Sequence, residues 1–259
     1  MQPVSTRVMN LSQFLTDSAR RHPKDIGLVW GEETWAWSAL EARATAFAAA
    51  LRDRYGMRKG DRLLVQSANC NQMFEAAFAC WKLGCVWVPA NFRQTPEEVA
   101  WLAMSSGAKG LLAGAEFDAH IAACKDVAFT VAIGGAGEDD YDTLVAEFAD
   151  VPVSVAEVDR DDPAWFFFTS GTTGKPKAAV LTHGQLAFVI TNHLCDLMPG
   201  TGPDDASIVV APLSHGAGIH QLTQVAHGVK TILPGGAKFD PAEVWGLVAK
   251  WRVTNAFTV

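Results

Sequence analysis

The chain predicts an α/β protein built of layered, mostly parallel sheets with helices on both faces. Three observations carry that expectation. Strand-like segments alternate with helix-like ones along most of the sequence. The strand-like segments, such as RLLVQSA from Arg62 and CVWVPAN from Cys85, are unbroken apolar runs, the pattern of strands buried on both faces. The 259 residues, 49% of them apolar, suffice for a sizeable core.

Taken in order, ALEARATAFAAALRDRY after Ser38 has helical apolar spacing, with Ser38 as the expected cap. Gly60-Asp61 marks a turn, and residues 62–68 a strand. A helix opens at Asn71 and ends near Gly84, followed by the strand CVWVPAN. Thr95-Pro96-Glu97-Glu98 starts another helix with proline at an early position. GLLAG and TVAIGG are short strands, and Asp140 to Phe148 is helical. The charged segment EVDRDDP, residues 157–163, could join two subdomains, about 1–160 and 163–259. Beyond it AWFFFTS is a very apolar strand. Alternation resumes from Thr182: HGQLAFVITNHL (helix), SIVVAPLS (strand), GAGIHQLTQVAHG (helix) and KTILPGG (strand). Last come the helix PAEVWGLVAKWR, capped by Asp240 with Pro241 at its first position, and the strand NAFTV. Trp87 and Trp165 fall in strands, consistent with packing roles.

The formal net charge is −7, and the basic residues are scattered. That argues against a nucleic-acid groove or an anionic membrane surface, which need clustered Lys and Arg. No apolar run is long enough for a membrane span or a signal peptide, so a soluble, cytoplasmic protein is expected. The five cysteines, Cys70, Cys80, Cys85, Cys124 and Cys195, are odd in number and include no C-x-x-C. Reduced, buried thiols are the expectation, with core packing favoured over metal binding.

The segment Thr169 to Lys177, TSGTTGKPK, stands apart. A buried strand delivers the chain to a turn in which Gly171 and Gly174 permit positive φ and remove side chains. Successive amides can converge there on an anion. Thr169, Ser170, Thr172 and Thr173 add hydroxyls for phosphate oxygens or magnesium, and Lys175 and Lys177 add charge. A Walker loop fails on two points: position 169 is Thr, and Pro176 follows the first lysine. The chemistry is that of a phosphate-binding loop for ATP.

This loop, preceded by Phe168, resembles the [YF]-TSGTTG-x-PKG signature of the adenylate-forming superfamily of acyl- and aryl-CoA synthetases, luciferases and peptide-synthetase adenylation domains. Ala178 stands where the signature has its final glycine. The stretch KGDRLLVQSANC through SSGAK resembles the family's N-terminal region. APLSHGAGIH resembles a later signature, P-[LM]-x-H-x-x-G, with His215 at the histidine.

The resemblance implies that residues 10–259 are the N-terminal part of an AMP-binding domain, with the adenylate-forming fold incomplete and the small C-terminal domain absent. It implies an acid–thiol ligase that activates a carboxylic acid as acyl-AMP and passes it to coenzyme A. Residues Thr169, Ser170, Gly171, Thr172, Thr173, Gly174, Lys175 and Lys177 would bind ATP. Thr169 would also help hold Mg2+, and His215 would orient the carboxylate. His183 is expected to start a helix. No Y-G-x-[TS]-E and no hinge signature occur, so the chain is read as roughly the first half of such an enzyme, inactive by itself. Two alternatives stay open: an amino-acid adenylation domain with a carrier-protein acceptor, and a short non-catalytic nucleotide-binding protein. The acid is expected to be a medium- or long-chain or an aromatic one.

Overall fold

In the computed structural model, described for residues 6–169, 175–236 and 239–258, two parallel-rich sheets carry the chain. The six-stranded sheet has the order β10-β9-β5-β4-β6-β7, formed by Lys177–Thr182, Pro163–Thr169, Val86–Pro89, Arg62–Gln66, Gly110–Gly114 and Phe129–Ile133. Its pairs are parallel except the β9–β10 edge. The five-stranded sheet has the order β13-β11-β12-β2-β3, from Asn255–Phe257, Ala206–Val209, Lys230–Leu233, Ile26–Trp30 and Glu33–Ala36. It is parallel except for the β2–β3 hairpin. A two-stranded ribbon pairs β1 (Arg7–Val8) with β8 (Val158–Asp159).

The strands do not sort by chain order about the charged segment 157–163. β9 and β10, which follow it, complete the sheet of β4–β7, while β2 and β3, which precede it, complete the sheet of β11–β13. A division near residue 160 therefore fails to separate the sheets. Hydrogen bonding across the edges, which periodicity does not encode, overrides sequence proximity.

Between the sheets lie α1 (Ser12–Arg21), α2 (Trp37–Asp53), α3 (Asn71–Lys82) and α8 (Gly216–Ala226), whose apolar faces share one core. Trp37, Trp81 and Trp165 are its largest fully buried side chains. On the other face of the six-stranded sheet, α4 (Pro96–Ser106) packs with Leu64, Val86, Val88 and Leu111. α9 (Pro241–Trp251) covers Val29, Ile208 and Ile232 of the five-stranded sheet.

Several local expectations change. α2 starts at Trp37, one residue before Ser38, and Ala36 is its cap residue without a side-chain hydrogen bond. The amides of Trp37 and Ser38 instead donate to the carbonyls of Asp25 and Pro23, so the tertiary fold replaces the serine cap. α3 opens at Asn71 as expected, and the Cys70 thiol caps it by accepting from the Met73 amide at 3.4 Å. Thr95 and Glu98 form a reciprocal capping box on α4. Four cysteines are buried, but Cys195, in a π-helical turn after α7 (His183–Asn192), is exposed. No described helix is long and apolar enough to cross a membrane.

Candidate nucleotide and acid site

The sites expected from the sequence lie beyond the carboxyl ends of strands, where open α/β sheets bind ligands. Thr169 ends β9 and pairs with Lys177, the first residue of β10, in antiparallel register. That pairing was not expected from the sequence. It brings the two flanks of the glycine loop together. Ser170, Gly171, Thr172, Thr173 and Gly174 lie outside the described residues. Lys175 and Lys177 are exposed. Ala178 pairs with Phe168 inside β10. Among the described non-glycine residues only Arg252 has a positive φ, so the methyl at 178 sits in ordinary extended backbone.

Thr169 and His215 line one cavity of about 380 Å3, together with Pro89, Asn91, Gln94, Glu98, Phe168, Pro176 and Ser214. The two segments singled out by the sequence, 46 positions apart (215 − 169), thus meet at one opening. Asn91, Gln94, Glu98 and Ser214 were missed as lining residues. NFRQTPEE carries a helix-start signal, and nothing in its pattern says that the turn ahead of that helix faces the loop. In that turn the Asn91 amide donates to Gln94 Oε1 at 2.9 Å and the Arg93 amide to Asn91 Oδ1 at 3.0 Å.

His215 is the N-cap residue of α8, and no side chain caps that helix end. The positive end of the α8 dipole therefore lies at His215, which favours an anion near it, while the Gly218 amide donates back to the His215 carbonyl at 2.8 Å. The imidazole stands edge-on to Phe167, with ring centroids 4.8 Å apart. Phe167 in turn continues an aromatic run through Trp165 and Trp87 to Trp81. Partial burial lowers the His215 pKa, so the neutral ring prevails near pH 7. A neutral imidazole can share a hydrogen bond with a carboxylate without adding a full charge.

The loop before α8 is held from the opposite sheet. Asn69, just beyond β4, donates from Nδ2 to the Ala211 carbonyl and accepts at Oδ1 from the Leu213 amide, both at 2.9 Å. This clamp was also missed, because its two ends are 142 residues and more apart in sequence. Gly218, the glycine of H-x-x-G, explains the motif's spacing. A Cβ there would collide with the Leu213 carbonyl and lie 2.8 Å from Trp165. Only glycine lets the loop fold back over the first turn of α8.

For a metal, the cavity offers Thr169 as an oxygen donor, while Glu98 already accepts from the Thr95 amide at 2.8 Å. Among the described residues no group of three or more His, Cys, Asp or Glu side chains is arranged to hold a metal ion. Oxygen-bearing side chains at the opening, Thr169, Asn91, Gln94, Glu98 and Ser214, suit a magnesium ion that keeps several waters rather than a closed protein cage. The other histidines lie elsewhere. His183 is buried at the start of α7, with Nδ1 accepting from the Leu11 amide at 3.3 Å. His220 and His193 share a hydrogen bond at 3.3 Å, and His220 also contacts Asn255 at 3.0 Å.

With this geometry in place, comparison with known proteins identifies the class. Residues 15–259 match the AMP-binding enzyme family, and the chain belongs to it. The chain is 32% identical over 258 residues to a feruloyl-CoA synthase from Amycolatopsis sp, covering 98% of this chain and 49% of that protein. It is 29% identical to 4-coumarate–CoA ligase 2 of Oryza sativa subsp. japonica, covering 82% and 41%. Among solved structures it is similar to the O-succinylbenzoate coenzyme A synthetase of Bacillus subtilis in complex with AMP. There the TM-score is 0.80 at 26% identity, over 94% of this chain and 60% of that one. It is also similar to the inhibitor-bound N-terminal domain of FACL13 from Mycobacterium tuberculosis, with TM-score 0.85 at 25% identity, over 96% and 62%. The chain spans about half the length of the curated relatives it matches.

Proposed function

We propose that residues 10–259 are the N-terminal part of the AMP-binding domain of an ATP-dependent acid–thiol ligase, which converts a carboxylic acid to acyl-AMP and then to a coenzyme A thioester. The observation that carries this reading is the shared cavity of Thr169 and His215. It sets the phosphate-loop flank beside a histidine and an uncapped helix end suited to a carboxylate. In adenylyl transfer from ATP to a carboxylate, where the carboxylate oxygen bonds to the α-phosphorus as pyrophosphate leaves, the protein's task is to hold two anions within reach and offset their repulsion. Lys175, Lys177 and the loop amides serve the ATP phosphates, and Thr169 serves magnesium, which neutralises phosphate charge when bound. His215 and the α8 N-terminus serve the acid.

The acid is proposed to be aromatic. The relatives include enzymes named for ferulate, 4-coumarate and indoleacetate. A coenzyme A acceptor is favoured over a carrier protein for the same reason.

His215→Ala is expected to raise the KM for the acid about tenfold while leaving the KM for ATP within twofold, the cost of one neutral hydrogen bond and ring contact. Steady-state kinetics of a ligase containing this chain, with each substrate varied in turn, measures it. Equal loss for both substrates removes His215 from the acid's side.

Lys175→Ala and Lys177→Ala probe the other half. A lysine on phosphate supplies a charge-assisted bond of about 1.5–3 kcal/mol, or roughly a ten- to hundredfold loss in kcat/KM for ATP. Both side chains are exposed, so thermal melts should hardly move. Wild-type ATP kinetics in both variants would mean that the loop is not the phosphate site.

A further inference from the structure

Trp101, on α4, makes two contacts with the limb that leaves the glycine loop. Its indole Nε1–H donates to the Pro176 carbonyl at 3.3 Å. The Lys175 ammonium sits over its ring, 4.0 Å from the centroid. The two contacts use different parts of one side chain for the chemistry each suits. The edge of an indole is electropositive and meets a carbonyl oxygen, while its face is electronegative and meets a cation. No carboxylate pairs with Lys175 among the described residues.

The platform itself is anchored. Trp101 is half-buried and packs against the core of Leu64, Val88, Leu102 and Phe168. α4 is locked at one end by the Thr95–Glu98 capping box and at the other by Gly107 in the left-handed conformation. The cavity shared by Thr169 and His215 is lined by Pro176 but not by Lys175. The lysine is thus turned toward α4, away from the opening that its neighbours line.

We propose that Trp101 is a positioning residue for the phosphate loop: its N–H sets the backbone at Pro176, and its ring face holds the Lys175 ammonium until phosphate displaces it. The proposal rests on the phosphate-binding reading of the loop. Magnitudes favour the exchange. An exposed cation–π contact amounts to a preference of about two- to fivefold, whereas an ammonium–phosphate bond amounts to about tenfold or more. Lys175 is therefore retained without nucleotide and released with it.

The test uses the 259-residue chain. Its indole N–H resonance for Trp101 is assigned as the signal lost in Trp101→Phe, and magnesium ATP or tripolyphosphate is titrated in, with calorimetry alongside. The expected result is a shift of the Trp101 signal that saturates with binding. In Lys175→Met the free chain already shows a displaced signal that moves less on titration, and this variant stands in should Trp101→Phe fold poorly. In a ligase containing the chain, Trp101→Phe is expected to raise the KM for ATP about three- to tenfold with the KM for the acid unchanged. That split is one a general packing defect would not produce. Heat of binding with a motionless Trp101 signal overturns the positioning role and leaves the phosphate reading intact. No binding of magnesium ATP at millimolar concentration, by the chain or by a ligase containing it, overturns the phosphate reading, and the positioning role with it.

Discussion

Glu75→Ala is expected to destabilise the chain by about 3–5 kcal/mol, the penalty for stranding one partner of a buried ion pair. Glu75, on α3, is fully buried. Its Oε1 accepts from Arg43 Nε of α2 at 2.8 Å and from Asn71 Nδ2 at 3.0 Å, while Oε2 accepts from the Tyr141 hydroxyl at 3.0 Å. Arg43 reaches on to Asp142 at 2.6 Å, so one carboxylate ties α2 and α3 to α6 (Tyr141–Glu147). Burial pushes the Glu75 pKa up and Arg43 opposes it, the mark of a charge whose desolvation is costly without its partner. Replacing both members with apolar residues, Glu75→Leu with Arg43→Met, should recover much of the loss. Urea unfolding of the single and double variants measures both effects. A single-variant loss below about 1 kcal/mol would show that the network contributes little.

Between pH 6.5 and about pH 4, the wild-type chain is expected to lose about 3 kcal/mol through His183 alone. Burial lowers the His183 pKa from 6.5 to about 4; Asp162 opposes that shift and Lys59 reinforces it. The folded pKa lies below the unfolded one. As pH falls through 6.5 the unfolded chain gains a proton that the native chain refuses until about pH 4. Stability from this group is therefore complete above pH 6.5 and lost on acidification. His193, His215 and His220 shift in the same direction, so the wild-type acid limb is a sum. The contribution of His183 is isolated by His183→Leu, which should lose about 1 kcal/mol at pH 7.5 with the Leu11 amide bond. Its stability at pH 4.5 should fall less from that point than wild type does. Parallel slopes for the two proteins would exclude His183 as a titrating group.

Sequence and structure divide the information in a physically intelligible way. The apolar runs at 62–66, 86–89, 110–114 and 163–169 became strands of one sheet, and helix starts at Thr95 and Asp240 appeared with their side-chain caps in place. These features depend on residues within a few positions of one another. Two helix starts rest on hydrogen bonds that side-chain capping chemistry does not reveal: α2 begins two residues ahead of the start that a Ser38 cap implies, on backbone carbonyls, and α3 begins at Asn71 under the Cys70 thiol.

The sequence by itself determined the α/β class, the alternation of elements and TSGTTGKPK as a chemically distinctive segment, while PLSHGAG stood out only through its resemblance to a family signature. Hydrophobic period, capping chemistry and donor density are local properties, and they can be read along the chain. Only the tertiary structure decided that β9 turns back into β10, that β2 and β3 join strands some 200 residues later, and that Asn69 clamps the loop before His215. It alone placed Trp101 beneath Lys175. Each of these is a pairing between distant residues, chosen by edge hydrogen bonding and ring electrostatics, and such choices leave no periodic mark in the order of amino acids.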